Sequence, residues 1–357
     1  ILTTLVDRYK NKLIYFKKVR YYLSNFLFFI SLIFMSCDSR DSGNIQLNGK
    51  TMGTTYLIKV IDFDRHIISS NQLQLKIDSV LISINEQMST YIPDSEISIF
   101  NRSSTISIIP SKEFLSVLEF SEALANSTSG LFDITVGPLI QLWGFSNYND
   151  EWLPPNEVEI SELLDHIGRD TWGLVEGKLQ KNNPYMQIDV NAIAKGLAVD
   201  AVSSLITSFG FSNFMVEIGG EVYCSGKNDK SIFWQIGIEL PDFESRSLSK
   251  IANISDRAMA TSGDYRNYFS YSGKTYSHIM NPKSGRPIEH SLASATVISS
   301  TCMKADGIAT ALLTMGTNDA LGFIENNSGV ECLLIERVEN GNFKTFMSSG
   351  FGEFLLE

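Results

Sequence analysis

The sequence predicts an α+β fold. Two observations carry that prediction. Helical stripes and β-branched runs interleave without a regular βαβ rhythm, and one long tract, residues 214 to 297, reads as strands and turns with helices on either side. No linker is long enough to force a domain cut.

In chain order, Thr54-Thr55-Tyr56-Leu57-Ile58-Lys59-Val60 alternates and is β-branched, which predicts a strand. Leu73, Ile77, Val80, Leu81, Ile84 and Met88 recur at helical spacing and mark a helix with one buried stripe. A second helix fits residues 113 to 126, closed by the Ser129-Gly130 turn. The third is the clearest: Ala194, Leu197, Ala198, Ala201, Val202, Leu205 and Phe209 keep the 3.6-residue period, and Gly210 supplies a left-handed stop. After the strand-rich tract, Ala305, Ile308, Ala309, Leu312 and Leu313 give a further helix ending at Gly316. A short helix and strands such as residues 330 to 335 complete the chain.

The composition is that of a folded protein, with 43% hydrophobic and 19% charged residues among 357. Six of the 29 basic residues and one of the 40 acids precede Cys37, which leaves 23 against 39 and a net charge of -16 beyond it. A body so acidic is a poor partner for nucleic-acid phosphates. Arg8, Lys10, Lys12, Lys17, Lys18 and Arg20 form a basic lead, and residues 26 to 35 are apolar apart from Ser31. This reads as a secretory signal peptide. It ends in Ile33-Phe34-Met35-Ser36-Cys37, which resembles a lipobox. The expected organisation is a signal peptide over 1–37, a polar tether over 38–47 and a folded body over 48–357. Lipidated Cys37 then anchors the body in the cell envelope, at the inner membrane facing the periplasm. A noncleaved anchor helix is the alternative, and it too places the body outside the cytoplasm. Cys224, Cys302 and Cys332 show neither zinc spacing nor CxxC, so core thiols are expected.

Several segments carry chemistry. His278 sits at the end of an expected strand, before the Asn281-Pro282 and Ser284-Gly285 turn, and its ordinary pKa near 6.5 suits a general base. A lone histidine is still more often structural. Asp306 and Thr310 share a helix face, and their oxygens suit Mg²⁺; an exposed acid in a first helical turn would read the same way. Asp189 can cap the helix that follows, but the run through Ala192 to Lys195-Gly196 also has small residues that allow a backbone to approach a ligand, and Lys195 can meet a phosphate. Gly219-Gly220 is another close-approach turn. No Walker or Rossmann loop is present. Phe132, Asp133 and Ile134 open a stretch that combines aromatics, polar groups and turn residues, and that could wall a flat ring or simply be core.

Together these segments resemble the ApbE family of FAD:protein FMN transferases. The likeness runs in order through Met52-Gly53-Thr54, Ser89-Thr90-Tyr91 with Ser95 to Ser98, Phe132 to Pro138, Asp189 to Gly196, Glu217 to Glu221, Ser262 to Arg266, His278 to Pro282, and Asp306 to Thr310. The resemblance implies a T-fold-like α+β architecture, a mixed and mostly antiparallel sheet with packed helices. It implies that Met52, Tyr91, Phe132, Asp133, Ile134, Asp189, Lys195 and His278 contact FAD as substrate. The Ala192 carbonyl, Asp306 and Thr310 would hold Mg²⁺, while Ala309 lacks the oxygen that some members have there. It also implies an acceptor protein with a Ser/Thr-containing motif, such as a membrane redox subunit. His278 and Asp306 become the expected catalytic pair. A magnesium-dependent FAD pyrophosphatase and a noncatalytic FAD-binding lipoprotein are the competing readings.

Overall fold

A computed structural model describes residues 42–103, 107–145, 152–242, 247–265, 267–338 and 341–356. The expected signal peptide, Cys37 and Arg266 lie outside the described residues.

Eight strands build the main sheet: β1 (Ser42–Thr51), β2 (Thr54–Asp64), β3 (Phe214–Ile218), β4 (Glu221–Ser225), β5 (Arg257–Gly263), β6 (Leu292–Ser299), β7 (Glu331–Arg337) and β8 (Phe343–Met347). They lie side by side in the order in which they occur in the chain. Every pairing from β2 to β8 is antiparallel. The tether expected over 38–47 is corrected here, because residues 42–47 belong to β1. Ile45 and Leu47 turn toward the core while Asn44, Gln46 and Asn48 stay exposed, a period-2 pattern hidden by the polar composition of the segment.

Eight helices are inserted between the strands among the described residues: α1 (Ser70–Met88), α2 (Glu96–Arg102), α3 (Lys112–Ser127), α4 (Gly137–Leu142), α5 (Glu157–Leu164), α6 (Asn191–Ser208), α7 (Cys302–Met315) and α8 (Thr317–Glu325). The stripe of α1 is buried as its spacing requires, at Leu73, Ile77, Leu81, Ile84 and Met88. Ser69 and Gln72 close its N-terminus as a capping box. The sequence does not display the short helices α2, α4 and α5. They span 6 to 8 residues, too few to display a helical period.

Alternation along the strands sorts side chains onto two faces. Phe214, Val216 and Ile218 of β3 join the core that packs against the helices, and Met215 joins a second cluster on the opposite face. A ribbon made by Trp234–Glu239 and Leu248–Ile254 contributes Trp234, Ile238, Ala252 and Ile254 to that second cluster, with Phe351. Strand β6 is buried along its whole length, covered on both faces. Cys224, Cys302 and Cys332 are free, buried thiols.

The helices α6 and α7 pack unusually close, and this contact positions the site. A Cβ on Gly196 would come within 2.4 Å of the Cys302 carbonyl oxygen, so only glycine fits. The Asp200 carboxylate, one turn later, accepts the N–H groups of Cys302 at 2.7 Å and Met303 at 2.8 Å, satisfying the free donors at the start of α7. Gly196→Ala is expected to cost roughly 1–3 kcal/mol by forcing the helices apart. Chemical denaturation should show the loss, and a variant as stable as the parent would contradict the packing argument.

Candidate active site

Segments distant in the chain converge on one cavity of about 280 Å³. Helix α6 contributes Asn191, Ala192 and Lys195 from its first turns, and α7 contributes Asp306 and Thr310. The end of β5 adds Thr261, Ser262 and Gly263; the segment before α4 adds Phe132, Asp133 and Ile134; and His278 enters just after the strand Lys274–Ser277. Nine expected site residues therefore line one space: Phe132, Asp133, Ile134, Asp189, Ala192, Lys195, His278, Asp306 and Thr310.

Met52 and Tyr91 do not line it. Met52 instead faces a neighbouring trough of about 720 Å³ between the β1–β2 hairpin and α1, lined also by Tyr56, Gln74 and Asp78. That trough holds none of the other expected site residues. Thr54, two residues on, sits against the cavity-lining Gly219: a Cβ on that glycine would meet the threonine methyl at 2.8 Å. Tyr91 is 76% exposed and lines neither space.

Asp306 is buried, at 3% exposure, so it is not the solvated first-turn acid that its sequence position also allowed. Its Oδ2 accepts the Gly196 N–H at 2.9 Å, and its Oδ1 lies 3.9 Å from the Lys195 ammonium. Lys195 is closer to Glu221, with 3.2 Å between Nζ and Oε1. Burial works against the charge on Lys195, but the Asp306 and Glu221 carboxylates outweigh it and hold its pKa above the usual lysine range. Burial raises both carboxylates, and the same ammonium opposes the rise. Thr310 Oγ1 exchanges a hydrogen bond with Ser262 Oγ at 3.0 Å.

His278 Nδ1 lies 3.1 Å from the Asn267 carbonyl, which can only accept, so Nδ1 carries the proton and Nε2 keeps its lone pair. Burial lowers the imidazole pKa below 6.5, the Asn267 hydrogen bond and the Asp264 charge partly opposing, so the ring is neutral at pH 7. Phe145 meets the ring edge-on at 6.3 Å between centroids. Asp133 accepts both the N–H and the hydroxyl of Thr135, at 2.8 and 2.6 Å. Asp189 accepts the Asn191 N–H at 2.8 Å, just ahead of α6, whose N-cap residue is Val190.

Among the polar wall residues, the sequence marks Ser262 and Glu221 only as members of longer blocks; for Glu221 the usable signal is an acid opening the apolar run Val222-Tyr223-Cys224.

Comparison with known proteins shows the family to which the chain belongs. The model of the ApbE family matches residues 52–334. A FAD:protein FMN transferase of Vibrio cholerae is 40% identical over 326 residues, covering 91% of this chain and 97% of that protein. One of Haemophilus influenzae is 39% identical over 314 residues, covering 86% and 90%. Among solved structures, the flavin transferase ApbE of Vibrio cholerae superposes with a TM-score of 0.80 at 40% identity, over 88% of this chain and all 100% of that one. The flavinyl transferase ApbE of Pseudomonas stutzeri gives 0.79 at 32% identity, over 88% and 97%. The α+β architecture expected from the resemblance is thus the one observed, and the chain belongs to the ApbE family.

Proposed function

We propose that this chain is a magnesium-dependent FAD:protein FMN transferase that moves FMN from FAD onto a threonine of an acceptor protein and releases AMP. The observation that carries the reading is the meeting, in one cavity, of a histidine whose Nδ1 is held by a backbone carbonyl, a half-buried lysine and a buried carboxylate, the last two on closely packed helices. Homology to the Vibrio and Haemophilus transferases supplies the substrate.

The donor set fits magnesium. Asp306 Oδ1, Thr310 Oγ1 and the Ala192 carbonyl are hard oxygen donors with no sulfur or imidazole among them. The Ala192 residue lines the same cavity, and a carbonyl oxygen has a second lone pair to offer a cation beside any helix hydrogen bond it accepts. Held there, magnesium would neutralise the pyrophosphate oxygens and stabilise the departing AMP phosphate.

The remaining work belongs to the side chains. His278 Nε2 takes the proton of the acceptor hydroxyl as its oxygen forms a bond to the FMN phosphorus. The bond from that phosphorus to the bridging oxygen breaks, and AMP leaves with the electron pair. Lys195 offsets phosphate charge as a point cation. Phe132 and Ile134 are buried apolar wall against which a flavin ring can lie.

The test is to incubate the protein with FAD, Mg²⁺ and a candidate acceptor such as a membrane redox subunit with a Ser/Thr-containing motif. Flavin fluorescence should remain on the acceptor after denaturation. Release of free FMN and AMP without a labelled acceptor would instead indicate a pyrophosphatase, and uncleaved FAD a binding protein.

We further propose that lipidated Cys37 holds the enzyme at the inner membrane facing the periplasm. A clickable fatty acid fed to cells should label the parent protein but not Cys37→Ser; equal labelling of the two would rule the anchor out.

A further inference from the structure

Glu221 has no part in the reaction just described, yet it is as buried as Asp306, each at 3% exposure. Its Oε2 has no hydrogen-bond partner among the described residues. Its only ion-pair partner among them is Lys195. A carboxylate placed this deep without full hydrogen bonding costs stability, and that cost points to a functional role for the group.

Lys195 leaves α6 with its stem passing Gly219, where a Cβ would lie 3.4 Å from Lys195 Cδ and 2.8 Å from Thr54 Cγ2. The stem is therefore confined between α6 and the β3–β4 turn, and the freedom left is at the ammonium. Two carboxylates compete for that group, Glu221 Oε1 at 3.2 Å and Asp306 Oδ1 at 3.9 Å. Asp306 Oδ2 is already engaged by the Gly196 N–H, so Oδ1 is the oxygen available to a cation. An ammonium resting on Oδ1 and a divalent ion bound there repel each other, and in a buried site water screens the repulsion poorly.

We propose that Glu221 is a positioning residue, which anchors the Lys195 ammonium away from Asp306 Oδ1 and so keeps that oxygen open to a divalent cation. The inference rests on the assignment of Asp306 as a metal ligand. It also explains how a lysine and a metal site can share one small cavity: Glu221 supplies the counter-charge that the lysine would otherwise take from Asp306.

The test is Mn²⁺ binding to the full chain without FAD, followed by the loss of the free-ion spectroscopic signal. Glu221→Gln should weaken binding roughly tenfold, because the ammonium moves onto Asp306. Lys195→Met should tighten it by removing the competing cation. The double variant should return to within about threefold of the parent, since the anchor is no longer needed once its lysine is gone. Glu221→Asp should recover part of the loss, with all variants compared at equal melting temperature or corrected for the folded fraction. A double variant as weak as Glu221→Gln alone would overturn the proposal, because Glu221 would then contact the ion itself, and so would parental affinity in Glu221→Gln. Failure of the underlying assignment has a separate signature: Asp306→Asn would bind Mn²⁺ as tightly as the parent.

Discussion

Asp306→Ala is expected to lower FMN transfer by about three orders of magnitude and to abolish its response to magnesium. The carboxylate is buried on α7 and does two jobs: one oxygen ties α7 to the Gly196 amide of α6, and the other faces the cavity beside Lys195. Alanine removes both, so a loss of activity in that variant alone could reflect loosened helices. Asp306→Asn separates them. Its side-chain oxygen can still accept from Gly196 while the charge is gone, so the fold should melt within a few degrees of the parent. Transfer should nevertheless fall nearly as far as in the alanine variant. The measurement is acceptor-bound flavin against magnesium concentration, and an unchanged titration in Asp306→Asn would remove Asp306 from the site.

Much of this site was legible because helix geometry is regular. Asp306 and Thr310 had to share a face at i and i+4, so that pair could be placed before the fold was known, whereas Ala192 entered only through the family resemblance. The long amphipathic helices were legible for the same reason. What the sequence hid was tertiary. Nothing local says that Gly196 must be glycine, since its reason is a carbonyl over a hundred residues away. The burial of Glu221 depends on the approach of α6 to the β3–β4 turn. Conversely, polar composition hides a strand at the start of the body: Asn44 to Lys50 is polar on average, but Ile45 and Leu47 alternate onto the core face of an edge strand. Tyr91, which order along the chain groups with the flavin contacts, stands largely in solvent, a placement that its exposed loop and not its sequence decides.

His278→Ala is expected to cost roughly 10²- to 10⁴-fold in the rate of transfer while leaving FAD affinity within a few-fold of the parent. The argument runs through the state of the ring. With Nδ1–H held by the Asn267 carbonyl, the imidazole offers Nε2 as its acceptor, and burial keeps the ring neutral by lowering its pKa below the ordinary 6.5. A base of this kind works when unprotonated, so activity is lost as pH falls through the lowered pKa and is fully present above it. The acid limb of kcat/KM should therefore have its midpoint below 6.5 in the parent and disappear from the residual activity of the variant. A histidine that only shaped the pocket would behave differently: its loss would raise KM for FAD and leave the acid limb in place. Retention of that limb in His278→Ala, at whatever rate, would assign the proton to another group.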